Sequence, residues 1–164
     1  SMQIIPGQRQ SGGANLSVKK DPLIGKKAPD FESVLLDGNK FKLSEEKGKV
    51  VVLDFWATWC GPCVKALPEL IEKTSQFDKK DVAFIAVNQG ESRKMISTFL
   101  KKKKLQELTV VMDRKQSIGR DYEVQGIPKT VIIDQEGIIH HVEVGFAQKT
   151  GARIKAEITK LLKK

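Results

Sequence analysis

Three observations predict an α/β sandwich. Two near-continuous apolar runs, Val50–Phe55 and Val82–Val87, have the character of strands buried on both faces of a parallel sheet. Each leads into a segment with helical apolar spacing, one after Cys60 and one from Ser92. A hairpin pattern, Thr130–Ile133 and Ile138–Val144 around Asp134-Gln135-Glu136-Gly137, then precedes a last amphipathic segment. Strand–helix–strand units followed by a hairpin and a closing helix make this architecture.

Taken in order, residues 1–22 are rich in Ser, Gly, Gln and Asn without an apolar period, and read as a flexible segment or tether. About 20 such residues reach roughly 25 Å. Residues 23–164 read as one domain, with no internal repeat and no linker within them. Phe31–Leu36, the turn Asp37-Gly38-Asn39 and Phe41–Leu43 predict a β-hairpin. Ser44 is placed to cap a short helical turn ending at Gly48. The helix after Cys60 carries Val64, Leu67 and Ile71 on one face, and Pro68 inside it predicts a kink. From Ser92, a helix turns Ile96, Phe99 and Leu100 inward. A short strand, Leu108–Met112, and a short helix, Gln116–Tyr122, follow. The last helix buries Ile154, Ile158, Leu161 and Leu162.

No stretch reaches the ~18 apolar residues of a membrane span, and the first thirty residues hold no signal-peptide apolar region. Ser1-Met2 reads as a cloning remnant, so a targeting segment or membrane tether upstream stays open. The net charge of +9 comes from lysines spread along the chain, with runs at Lys101–Lys104 and Lys160–Lys164. Solvated helix ends account for these runs, with attraction to an anionic surface or acidic partner as the alternative. The basic runs lack interleaved aromatics and no recognition motif is present, which argues against nucleic-acid binding.

The only two cysteines lie in Trp56-Ala57-Thr58-Trp59-Cys60-Gly61-Pro62-Cys63, where the first buried strand gives way to a helix. A Cys-x-x-Cys in that position reads as a redox motif. Unpaired backbone N–H groups and the helix dipole favour a thiolate at the first sulfur. Gly61 removes bulk beside it, and Pro62 suits the first helical turn, where no N–H is needed. Cys60 is therefore read as the nucleophile and Cys63 as the resolving thiol. A zinc site would need further ligands, yet no second Cys-x-x-Cys exists, and His140 and His141 would point to opposite faces of a strand. A passive disulfide closing so small a loop would remove little unfolded-state entropy. No metal and no cofactor are expected.

Trp56–Cys63 resembles the active site of thioredoxins, and Gly126-Ile127-Pro128 before an apolar strand resembles their cis-proline loop. Gly25-Lys26-Lys27-Ala28-Pro29-Asp30-Phe31 with its hairpin resembles the N-terminal extension of the membrane-tethered oxidoreductases of the TlpA/ResA type. Asn88-Gln89-Gly90-Glu91-Ser92 and the helix–strand insert after it match the same branch. The resemblance implies a thioredoxin-like sandwich with an N-terminal β-hairpin extension and a central helix–strand insert. Peroxiredoxins share that extension, but Ala57 and Leu53 stand where they carry the Thr and Pro before their reactive cysteine.

The resemblance further implies a dithiol that exchanges with protein disulfides, with a membrane or soluble electron donor as second partner. Pro128, in a cis bond after Ile127, would present the preceding backbone to an extended substrate. Trp59, Gly61 and Pro62 would form the docking surface, whereas Trp56 packs. The location implied is outside the cytoplasm, periplasmic or on the outer membrane face, and cytochrome c maturation is the implied setting. A cytosolic general thioredoxin and a non-catalytic, redox-switched adaptor stay open as alternatives.

Two departures bear on mechanism. The ResA-like branch carries a buried Glu three residues after the second cysteine, where this chain has Ala66. Asp54 instead occupies the strand, as in thioredoxins, but the lysine that partners it there falls at Phe84. Desolvation without a counter-charge should raise the Asp54 pKa, so that it can take the Cys63 proton. A strand-end Asp making structural hydrogen bonds is the competing reading.

Overall fold

The computed structural model describes Gln3–Ile4 and residues 20–164. Five strands make the central sheet, in the spatial order β6-β5-β4-β8-β9. In chain order, β1 is Gln3–Ile4, β2 Glu32–Val34, β3 Lys40–Lys42, β4 Val50–Trp56 and β5 Val82–Gln89. They are followed by β6 Val110–Asp113, β7 Gly126–Ile127, β8 Lys129–Ile133 and β9 Ile139–Val144. The helices are α1 Gly61–Ser75, α2 Arg93–Lys103, α3 Ser117–Asp121 and α4 Thr150–Leu162. Strands β4, β5 and β6 run parallel, while β8 and β9 add antiparallel to β4. This is a thioredoxin-like sandwich, with the β2–β3 hairpin before it and α2–β6 inserted within it.

All seven residues of β4 are buried, as an apolar central strand requires. Its alternate side chains divide the core in two. Val50 and Val52 meet Ala66 and Leu70 of α1 and Ile154, Ile158 and Leu161 of α4. Val51, Leu53 and Phe55 meet the layer beneath the hairpin. There Phe31 stacks with Phe41 at 5.7 Å, and Tyr122 lies edge-on to Phe31 at 6.4 Å and tilted to Phe55 at 5.5 Å. The Tyr122 hydroxyl donates to the Pro29 carbonyl at 2.6 Å, tying the N-terminal extension to α3. Truncating Leu70 to Ala would cost about 2–5 kcal/mol, because it is fully buried between the sheet and α4.

The hairpin turns at Asp37-Gly38-Asn39 as expected, with Gly38 at φ +90°. It closes over the β6 edge through a Leu35–Val111 bridge and a Leu36 N–H donated to Val110 O at 2.9 Å. On the opposite edge, β9 carries polar side chains. Arg153 forks onto Glu143 at 2.9 and 2.8 Å, with His141 against the same carboxylate at 2.6 Å, and His140 meets Asp134 at 2.7 Å.

Several local expectations are corrected. The inward face of α1 is Cys63, Ala66, Leu67, Leu70 and Thr74; Val64 and Ile71 lie at its half-buried margin. Val64 and Ile71 sit beside Cys63, Ala66, Leu67 and Leu70 on one broad apolar arc, so spacing alone does not fix the rotation of this helix. Pro68, where the sequence predicts a kink, does lie inside this helix and is exposed. The turn Leu43–Glu46 has no side-chain cap of its own; the Asp30 carboxylate accepts the Ser44 N–H at 2.9 Å instead. No lysine stands beside Asp54 on β5, as the sequence implies: Ala86 pairs with it, and Phe84, two residues earlier on the same strand, pairs with Val52. Of the segment 1–22, Gln3–Ile4 pairs antiparallel with Gly126–Ile127, and residues 1–2 and 5–19 lie outside the described residues.

Candidate active site

The β4 strand delivers the chain to the carboxyl end of the parallel strands, where crossing connections leave room for a site. Cys60 ends that connection as the N-cap of α1, and its sulfur accepts the Cys63 N–H at 3.2 Å. Pro62 falls in the first helical turn, where its missing N–H leaves no acceptor unpaired. Cys60 and Cys63 form a disulfide with Cα atoms 5.2 Å apart. Both residues are buried; Gly61 beside them is exposed, Pro62 half-buried, and Trp59 44% exposed. Trp56 is buried against Phe99 at 5.6 Å.

The second wall is the loop between α3 and β8. Its Ile127–Pro128 peptide bond is cis, and the Ile127 carbonyl oxygen lies 3.7 Å from the Cys60 sulfur. Pro128 O accepts the Gly145 N–H at 2.8 Å. The next residue, Lys129, is 4% exposed, and its ammonium finds three acceptors: Tyr122 O at 3.0 Å, Glu123 O at 3.3 Å and Asp21 at 3.3 Å. This buried cation fixes both ends of the loop and the start of the folded body. Its position after Pro128 is plain in the sequence, but two of its partners are backbone carbonyls, which any residue supplies, and the third, Asp21, is remote in the chain.

Asp54 is fully buried on β4, on the sheet face shared by Val50 and Val52 and covered by α1. The Thr130 hydroxyl donates to one carboxylate oxygen at 3.5 Å, a long contact, and the other has no protein donor among the described residues. Burial raises its pKa from 3.8 to about 8, and the Thr130 hydrogen bond only partly opposes that. An acid so poised can exchange a proton at neutral to mildly alkaline pH.

A further group went unassigned in the sequence. Glu91, 6% exposed, accepts the Thr58 N–H at 2.7 Å and the Asn88 side-chain amide at 2.8 Å, and its second oxygen takes the Thr58 hydroxyl. The Glu91 N–H donates back to Asn88 Oδ1 at 3.2 Å. Asn88 and Glu91 were recognisable only as part of a family-like motif.

A dithiol at a helix N-terminus, faced by a backbone carbonyl, serves exchange between thiols and disulfides. By fold and site the protein is a thiol-disulfide oxidoreductase. The Redoxin family profile matches residues 23–160, and the chain belongs to that family, in its TlpA/ResA-type branch. It is 34% identical over 126 residues to the thiol-disulfide oxidoreductase ResA of Geobacillus kaustophilus, covering 77% of this chain and 72% of ResA. A provisionally named DsbE thiol:disulfide interchange protein from Chlorobium tepidum superposes with a TM-score of 0.78 at 34% identity, over 85% of this chain and 97% of its own. The exposed lipoprotein thioredoxin Etrx1 of Streptococcus pneumoniae gives 0.71 at 28% identity, over 81% and 100%.

Proposed function

We propose that the protein reduces disulfides in other proteins outside the cytoplasm, held to a membrane by a segment upstream of this sequence. The observation that carries the exchange chemistry is Cys60 capping α1 with its sulfur on the Cys63 N–H and beside the Ile127 carbonyl. In the reduced protein the Cys60 thiolate attacks one sulfur of the substrate disulfide, forming a mixed disulfide and expelling the other substrate sulfur as thiolate. Cys63 then loses its proton to Asp54 and attacks Cys60, releasing the second substrate thiolate and closing the Cys60–Cys63 bond. Two electrons have passed to substrate, and a membrane or soluble dithiol donor restores the starting state.

The substrate segment lies extended beside Ile127 and Pro128, against Trp59, Gly61 and Pro62. The pairing of Gln3–Ile4 with Gly126–Ile127 supports this, because it demonstrates that the edge accepts an antiparallel strand. Gly-Pro between the cysteines resembles reducing thioredoxins. The family tie and the exposed lipoprotein relative support an extracytoplasmic place, and the substrates proposed are apocytochrome c cysteines.

Insulin-disulfide reduction tests the exchange. Cys60→Ser should abolish turnover, while Cys63→Ser should accumulate mixed disulfides visible on non-reducing gels. Full turnover by Cys63→Ser would reverse the assignment of the two thiols. Fractionation of the native gene product tests the location: recovery in the cytosol would overturn it.

A further inference from the structure

We propose that Glu91 is a positioning residue for the exchange reaction, holding the nucleophile through Thr58. This inference rests on the roles given to Cys60 and Cys63 above. The segment Ala57–Trp59 links the end of β4 to Cys60, and it is too short for a regular element. Something outside the segment must therefore fix it. Cys60 N–H is bonded back to Ala57 O at 3.2 Å, so the turn and the cysteine move together. Both donors of Thr58, two residues before the nucleophilic cysteine, end on one carboxylate.

That carboxylate is itself held from behind. Asn88, the last-but-one residue of β5, pairs across the sheet with Trp56, the last residue of β4. Its amide donates to Glu91 while its oxygen receives the Glu91 N–H, so Glu91 is gripped at both side chain and backbone. Ser92 follows directly and caps α2 through the Met95 N–H at 3.2 Å, fixing the chain on the far side. The motif Asn88–Ser92 thus acts as a bracket from β5 and α2 onto the loop that carries Cys60.

The choice of residue is informative. A carboxylate offers two acceptor oxygens and no donor, matching the three donors that converge here. A glutamine could still accept the Thr58 N–H and the Asn88 amide at its one oxygen, but would present N–H to the Thr58 hydroxyl. Thiol exchange depends on sulfur placement, and displacements near an ångström cost up to about a hundredfold in comparable cases. A bracket two residues from the sulfur is therefore a rate determinant as well as a fold contact.

The test measures two quantities on Glu91→Ala, Glu91→Gln and Thr58→Val. One is kcat/KM for insulin reduction; the other is the Cys60 thiolate titration midpoint, followed by ultraviolet absorbance. Glu91→Ala should lower kcat/KM about tenfold, and Glu91→Gln should recover to within about threefold of the parent. Thr58→Val removes only the hydroxyl and should raise the thiolate midpoint while lowering kcat/KM about threefold. If Glu91→Ala does not fold, Thr58→Val decides. A parent-like rate and parent-like midpoint in the variants, with only the melting temperature reduced, would overturn the proposal. Should the parent protein itself reduce no protein disulfide, the substrate reading fails, while the thiolate midpoints still decide the role of Glu91.

Discussion

Two acids are sealed from solvent around the dithiol, and their surroundings differ in kind. Glu91 receives three side-chain and backbone donors within ordinary hydrogen-bond reach. Among the described residues, Asp54 receives one hydroxyl at 3.5 Å and leaves an oxygen without a protein donor. The first is committed to geometry, since every lone pair in use ties down a neighbour. The second has little to hold and a proton to give or take. In the proposed mechanism it is this shortage of donors, and not burial alone, that suits Asp54 to accept a proton.

Substituting Asp54 tests this difference with the largest expected effect. Its folded pKa of about 8 lies above the 3.8 of the unfolded chain, so the folded state binds the proton more tightly. The associated stability is fully present below about pH 4 and is lost as pH rises through 8. Asp54→Asn should therefore gain stability over the parent as pH increases, levelling above pH 8 at an advantage on the order of a few kcal/mol. Urea unfolding at pH 5, 7 and 9 measures it, and a pH-independent gap would remove the distinction between the two acids. If Asp54 takes the Cys63 proton as proposed, the same variant should resolve mixed disulfides at least about tenfold more slowly.

Glu91→Gln should carry the opposite sign. It removes an acceptor from a satisfied network and should cost about 1–2 kcal/mol at pH 7, measured by the same unfolding curves. A stabilising effect would mean that both acids are strained. Thr130→Val sharpens the contrast more finely. Deleting the one donor to Asp54 should move the alkaline midpoint of mixed-disulfide resolution upward by roughly half a pH unit. An unmoved midpoint would assign that titration to another group. The smallest effect is expected from deleting residues 1–19, which includes β1 and leaves the packed core intact. The melting temperature should stay within about 2 °C, and insulin reduction should not fall; a large loss of either would give that segment a structural role.

What the sequence made legible follows from what is local in it. The Cys-x-x-Cys, the helical start at Gly61 and the run Val50–Phe55 are contiguous signals, and each lies where its pattern places it. Asp54 stood out because a single charge in an apolar run has no local excuse. Glu91 did not, because the Thr58 groups that give it meaning lie 33 residues away and meet it only after β4 and β5 pair. Rotation of α1 was ambiguous for a different reason, since α1 packs on both the sheet and α4 and so wears apolar residues widely.

The two edges of the central sheet carry a consequence for life at high concentration. An open edge strand presents unpaired N–H and C=O groups that can recruit another chain into a growing sheet. Here β6 is roofed by the hairpin through Leu35 and Leu36. Burial pushes the Glu143 carboxyl on β9 up, but the Arg153 fork and His141 outweigh it and hold the group below its ordinary value. A charged, pre-engaged rim of this kind makes an unfavourable template, since a stacking strand would have to strip water and counter-ions from it. The central sheet thus keeps its own edges from becoming the seed on which neighbouring chains aggregate.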